Sequence, residues 1–191
     1  MPHAQVRHPA LARISEPRIN GPRMIDGTEP SLRTLAAADA RWLERTVELA
    51  TLNIDNGGGP FGALIVRDGS LVAEGQNRVT ADLDPTAHAE VVAIRAACQV
   101  EQSFSLAGAT LYSSCEPCPL CLSAALWARV DRVVFAADRH DAARGGFDDL
   151  EFYELFARER DTWQLPVVSM RIPQSPAPFD AWLANEARTD Y

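Results

Sequence analysis

Lysine is missing from this chain altogether: all 18 basic residues are arginine, set against 26 acidic ones for a formal net charge of −8. The arginines are scattered, whereas a protein that grips a polynucleotide through its phosphates needs a basic stripe. The balance therefore points to a small-molecule partner and argues against nucleic acid; the missing lysine itself reads as composition bias. No apolar run approaches the ~18 residues that cross a membrane. Residues 1–30 carry arginines and are broken by Pro2, Pro9, Pro17, Pro22 and Pro30, with no apolar stretch of the kind a secretory signal uses. Cysteine is sparse too. Four cysteines without an export signal fit a reducing, cytoplasmic compartment, where a close-spaced cluster means metal or catalysis more often than disulfides.

What is present suits a single domain: 191 residues, 47% of them apolar. Residues 1–34 read as an extended or disordered arm, in which His3 and His8 are simply solvated. Residues 35–191 read as one domain, without internal repeats. Trp42, Leu43, Val47, Ala50 and Leu52 give an amphipathic helix over about 38–53, stopped by Asn56-Gly57-Gly58-Gly59-Pro60. Strands are expected at 63–67 and 71–76 around an Asp68-Gly69 hairpin turn, and at 110–113, 132–137 and 167–171. Helices are expected from Pro85 to about Cys98, from Pro119 to about Arg129, over 149–158 and over 179–187, with a polar loop at 138–148. Helices and strands mostly alternate, which predicts an α/β protein with a mixed five-stranded sheet flanked by helices.

Two short stretches carry the chemistry. One is Thr86-Ala87-His88-Ala89-Glu90; the other is Cys115-Glu116-Pro117-Cys118-Pro119-Leu120-Cys121. A His-x-Glu followed by Pro-Cys-x-x-Cys is the pattern of zinc-dependent base deaminases. Cys118 and Cys121 share one face of a helix start, whose amide protons favour thiolate. With His88 they make three ligands, which leaves the fourth tetrahedral position for water, as catalytic zinc requires. Glu90 is then the proton carrier rather than a ligand. The competing reading is a closed structural zinc that also takes Cys115. It gives Glu90 no role, and Cys115 falls at a strand end beyond Pro117, so Cys115 is not expected to ligate. A redox reading of the Cys-x-x-Cys pairs leaves both His88 and Glu90 unused.

Beyond the metal motif, Gly59-Pro60-Phe61-Gly62-Ala63, Ala73-Glu74-Gly75-Gln76-Asn77, Trp127-Ala128-Arg129, Gly146-Phe147-Asp148-Asp149 and Phe179-x-x-Trp182 before a terminal tyrosine resemble the bacterial guanine deaminase branch of the cytidine deaminase superfamily. The resemblance covers about 35–191 and implies a three-layer α-β-α cytidine deaminase-like fold with one zinc per subunit on His88, Cys118 and Cys121. It further implies that zinc-bound hydroxide attacks C2 of guanine, giving xanthine and ammonia, with Glu90 moving protons and Asp149 holding the departing 2-amino group. Asn77, Phe61, Ala89 and Trp127 would contact the purine. The family resemblance also implies a domain-swapped homodimer in which segment 173–191 crosses over and Tyr191 closes the partner's site. Each assignment has a plainer competitor: core packing for Phe61 and Trp127, backbone satisfaction for Asn77, helix capping for Asp149 and a frayed terminus for Tyr191.

Within the same class, the alternatives are another base or aminated heterocycle (cytosine, an aminotriazine, a pterin) or adenosine in tRNA. Outside it stands a zinc-stabilised binding module without turnover.

Overall fold

The computed structural model describes residues 32–190, so the expected arm over 1–34 lies almost wholly, and Tyr191 entirely, outside the described residues. Helix α1 (Leu32–Asp55) starts earlier than its apolar periodicity suggests and leads through the glycine run into β1 (Gly62–Arg67) and β2 (Ser70–Gln76). Between the strands Asp68 and Gly69 both have positive φ, 50° and 72°, the conformation that a two-residue hairpin requires. A short helix α2 (Val79–Asp82) precedes α3 (Ala89–Glu101), β3 (Ala109–Cys115), α4 (Pro119–Trp127) and β4 (Arg132–Ala137). Helices α5 (Arg139–Arg144), α6 (Asp149–Phe156) and α7 (Ala177–Ala184) complete the described chain.

The sheet runs β2-β1-β3-β4, with β1 antiparallel to both neighbours and β3 parallel to β4. Strand alternation divides its side chains between two layers. Leu64, Val66 and Tyr112 meet Leu49, Trp42 and Leu43 of α1 on one face. Ala63, Ile65 and Leu111 meet Ala93, Ile94, Ala97 and Ala125 of α3 and α4 on the other. Leu64, Ile65 and Leu111 are fully enclosed, which contributes about 1.5–3 kcal/mol for each side chain. The result is the expected three-layer α-β-α arrangement.

One glycine fixes the approach of α3 to the sheet. A Cβ on Gly75 would lie 2.3 Å from the Ala89 carbonyl oxygen and 2.5 Å from the Ala93 nitrogen, so only glycine lets β2 support the start of α3.

The sheet has four strands rather than five. Residues 167–171 follow an irregular path without a ladder partner, and Val168 and Met170 are 79% and 82% exposed. A β-rich composition makes a strand only when an edge is beside it, and none is supplied here within the described chain. The polar stretch 138–148 also differs from expectation, because it contains α5. Asp138 accepts hydrogen bonds from the His140 and Asp141 amides, both at 2.9 Å, and Asp141 accepts from the Asp138 amide at 3.2 Å. That reciprocal cap is written in the sequence as Asp-x-x-Asp.

Candidate active site

Two helix starts converge. His88 is the residue just before α3 and Cys118 the one just before α4, each with extended backbone (φ −65°, ψ 152° and φ −63°, ψ 170°). Pro119 at the first position of α4 sacrifices no hydrogen bond there. Cys121 follows one turn on. The His88 Nδ1 lies 3.6 Å from the Cys118 sulfur and 3.5 Å from the Cys121 sulfur, and the sulfurs are 3.6 Å apart.

These distances test the metal directly. A tetrahedral zinc with sulfur at ~2.3 Å and nitrogen at ~2.0–2.1 Å separates its ligand atoms by about 3.5–3.8 Å. The triangle matches, with Cys118 and Cys121 buried and His88 half-buried. Among the described residues this is the one group of histidine, cysteine and carboxylate side chains close enough to hold an ion. Hydrogen bonding with Cys121 and His88 holds the Cys118 thiol below its ordinary value against burial. The same contact with Cys118, together with burial, raises the Cys121 thiol. Cys118 in turn raises His88 above its ordinary value. Cys115 points elsewhere: its sulfur lies 3.5 Å from the Asp138 carbonyl oxygen and belongs to no metal group.

Glu90 sits one residue into α3, 5% exposed. Its Oε1 accepts a hydrogen bond from the Ser113 hydroxyl at 3.0 Å, and its Oε2 lies 3.3 Å from the Cys121 sulfur. Burial pushes its carboxyl up. A carboxyl that holds a proton readily in a dry site can both take one and return one.

The family follows from the sequence that builds this geometry, since residues 37–137 match the cytidine and deoxycytidylate deaminase zinc-binding region. The chain belongs to that family. It is 48% identical to guanine deaminase of Bacillus subtilis over 151 residues, covering 78% of this chain and 97% of that protein. The crystal structure of a B. subtilis guanine deaminase superposes with a TM-score of 0.77 at 45% identity, covering 80% of this chain and 98% of that one. A guanine deaminase structure from Nitrosomonas europaea gives 0.56 at 30% identity, over 66% of this chain and 79% of that one. The tRNA-specific adenosine deaminase of B. subtilis is 33% identical over 69% of this chain and 79% of its own length.

Within this deaminase domain, the remaining candidate residues divide into near and far. Asp149 opens α6, half-buried; burial raises its carboxyl, the negative Cys118 adds to this and His88 opposes it, so it stands within electrostatic reach of the ligands. Phe61 packs edge-on against Phe147 with ring centres 4.7 Å apart, which brings the glycine-proline-phenylalanine loop to the Gly146–Asp149 segment. Asn77 is buried: its side-chain oxygen accepts from the Val79 amide at 3.2 Å and its carbonyl accepts from Asn53 Nδ2 at 2.8 Å. Ala89 is enclosed between His88 and Glu90. Trp127 is not brought in. It ends α4, about 12 Å along the axis from Pro119, 63% exposed, with the Arg129 guanidinium 5.6 Å from its ring centre.

Ser113 lies outside both sequence motifs. Strand alternation with Leu111 turns it inward, and a polar residue on a buried face needs a partner; here the partner is Glu90.

Proposed function

We propose that this chain hydrolyses guanine to xanthine and ammonia. One observation carries the reading: a three-ligand metal group with an enclosed carboxyl at its edge, in a chain so similar to a guanine deaminase along nearly that protein's whole length. A zinc ion held by His88, Cys118 and Cys121 supplies the Lewis acidity that lets water act as a nucleophile near neutral pH. Glu90 takes a proton from the attacking water and delivers it to a purine ring nitrogen, then takes the second proton from the new C2 hydroxyl and delivers it to the leaving amine. Water's oxygen becomes the new C2 oxygen, the C2–N bond breaks, and ammonia departs.

Asp149 accepts hydrogen bonds from the 2-amino group and steadies its exit; its half-burial and its sensitivity to Cys118 and His88 support this. Asn77 binds the purine edge, Phe61 and Ala89 wall the base, and Trp127 and Tyr191 enclose it in the assembled enzyme. That assembly is a homodimer with segment 173–191 exchanged. Its support is the exposure of Phe179 and Leu183, 70% and 67%, on a helix with no buried residue in its own chain. The ligand thiols must stay reduced, which suits the cytoplasm, and no described helix is long and apolar enough to cross a membrane.

Ammonia release from guanine, cytosine and adenine by zinc-loaded protein, with Glu90→Ala as control, tests the reading. Release from guanine alone, falling at least ~10²-fold in the variant while zinc stays bound, is the expected outcome. Release from another base instead would keep the mechanism and overturn the substrate. A zinc-loaded protein that binds guanine without turnover would support the binding-module alternative.

A further inference from the structure

A chain of contacts, none of them to the metal ligands' side chains, links the helix that bears Asp149 to the loop that bears Cys118. The Tyr153 hydroxyl donates to the Pro117 carbonyl at 2.6 Å. Tyr153 lies four residues after Asp149, so the two project from one side of α6. The Arg139 guanidinium stands 3.5 Å from the centre of the Tyr153 ring. Arg139 in turn clasps Glu116: its amide and Nε donate to Oε2 at 3.1 and 2.8 Å, and its Nη2 pairs with Oε1. Glu116 and Pro117 are the two residues before Cys118. Both ends of the chain therefore meet one dipeptide.

Apolar burial of α6 against α4 and α5 is slight. Its eight residues include none that is fully buried, no side chain caps its start, and Phe152 and Phe156 are 48% and 60% exposed. The link that leads into it contains Gly146 at φ 87°, so the connecting backbone is permissive. Apolar packing is thus a weak determinant of where α6 sits in the chain, and the polar contacts decide it.

We propose that Tyr153, supported by Arg139, is a positioning residue that sets Asp149 over the metal ligands by tying α6 to the Glu116-Pro117 dipeptide. Neither side chain touches substrate or metal. The inference rests on the reading of Asp149 as the group that meets the 2-amino nitrogen. Tyr153→Phe deletes only the hydroxyl and keeps the ring beneath Arg139, which makes it the clean probe.

The test uses full-length, zinc-loaded protein in four forms: Asp149→Asn, Tyr153→Phe, Arg139→Ala, and Tyr153→Phe combined with Asp149→Asn. The readouts are kcat and KM for guanine, zinc per chain, Tm, and inhibition by hypoxanthine, which lacks the 2-amino group. Tyr153→Phe is expected to keep its zinc, to lose only about 2–4 °C in Tm, and to lose about 10- to 100-fold in kcat. Its hypoxanthine inhibition stays within about twofold of the parent's, because the contact at stake is absent from that ligand. The double variant falls no further than Asp149→Asn alone, and Arg139→Ala loses kcat in the same direction by less. Full kcat in Tyr153→Phe beside an inactive Asp149→Asn would overturn the tether and leave the Asp149 role standing. Full turnover in Asp149→Asn would remove the reading beneath it. Zinc loss in Tyr153→Phe, or independent multiplication of the two losses, would make the tyrosine a support of the cysteine loop or the fold instead.

Discussion

Cys115, Cys118 and Cys121 are spaced alike, yet the fold gives them different work. Cys118 and Cys121 meet His88, whereas Cys115 ends β3 with its sulfur against the Asp138 carbonyl, and burial pushes its thiol up to about 12. Cys115→Ala is therefore expected to bind one zinc per chain as the parent does, and Cys118→Ala to lose it, as elemental analysis after gel filtration would show. Zinc retained by Cys118→Ala and lost by Cys115→Ala would reverse the ligand assignment. The grouping of His88, Cys118 and Cys121 with Glu90 beside them was legible in the sequence because metal chemistry dictates residue type and a helix turn dictates the three-residue spacing. Ser113 and Tyr153 were not, since a serine that holds Glu90 and a tyrosine that holds Pro117 owe their meaning to neighbours 23 and 36 residues away.

The metal motif depends in turn on elements held in place at some distance from it. Helix α1 is fixed to the sheet by apolar contacts and by polar ties, among them a clamp in which Asp39 accepts from the Tyr112 hydroxyl at 2.7 Å and from Arg132 at 2.9 and 2.6 Å. The Arg132 hydrogen bond, with Tyr112 adding to it and burial opposing, holds the Asp39 carboxyl below its ordinary value. Folding thus favours the charged form, and the stabilisation is full above the unfolded value and lost as pH falls through the folded one. Asp39→Asn imitates the protonated state and should cost about 1–2 kcal/mol at neutral pH, toward the low end because Arg132 is half-exposed. Urea unfolding should show that gap constant down to about pH 5 and narrowing below about pH 4; a gap unchanged at pH 3 would refute the clamp as a source of stability. Elements with strong periodicity or breakers, such as α1, the β1–β2 hairpin and β4, were readable. The Asp138 cap went unread, because the glycines after it suggested loop. A fifth strand at 167–171 was overestimated, because valine-rich sequence reports willingness to pair and says nothing of whether an edge is at hand.

At the scale of the whole molecule, the carboxy-terminal fifth is apolar and bare. Leu165, Val168, Met170, Phe179 and Leu183 are all at least two-thirds exposed, and exposed apolar surface gathered in one segment is the kind that marks an interface. The proposed exchange between two copies would cover it. The exchange can be read from activity rather than from size alone. A chain ending at Pro178 keeps His88, Cys118, Cys121 and Glu90 and lacks the tail; Glu90→Ala keeps the tail and lacks the proposed proton carrier. Each alone should be inactive. Refolded together at equal amounts, random pairing makes half the dimers mixed, each with one complete site, so about a quarter of the parent activity per subunit should return. Restoration to that level, concentration-dependent and absent when the two are mixed without refolding, is the expected result. A truncated chain active by itself would show that the site needs no tail, and a mixture that stays silent although both proteins bind zinc and form mixed dimers would show that each tail serves its own site.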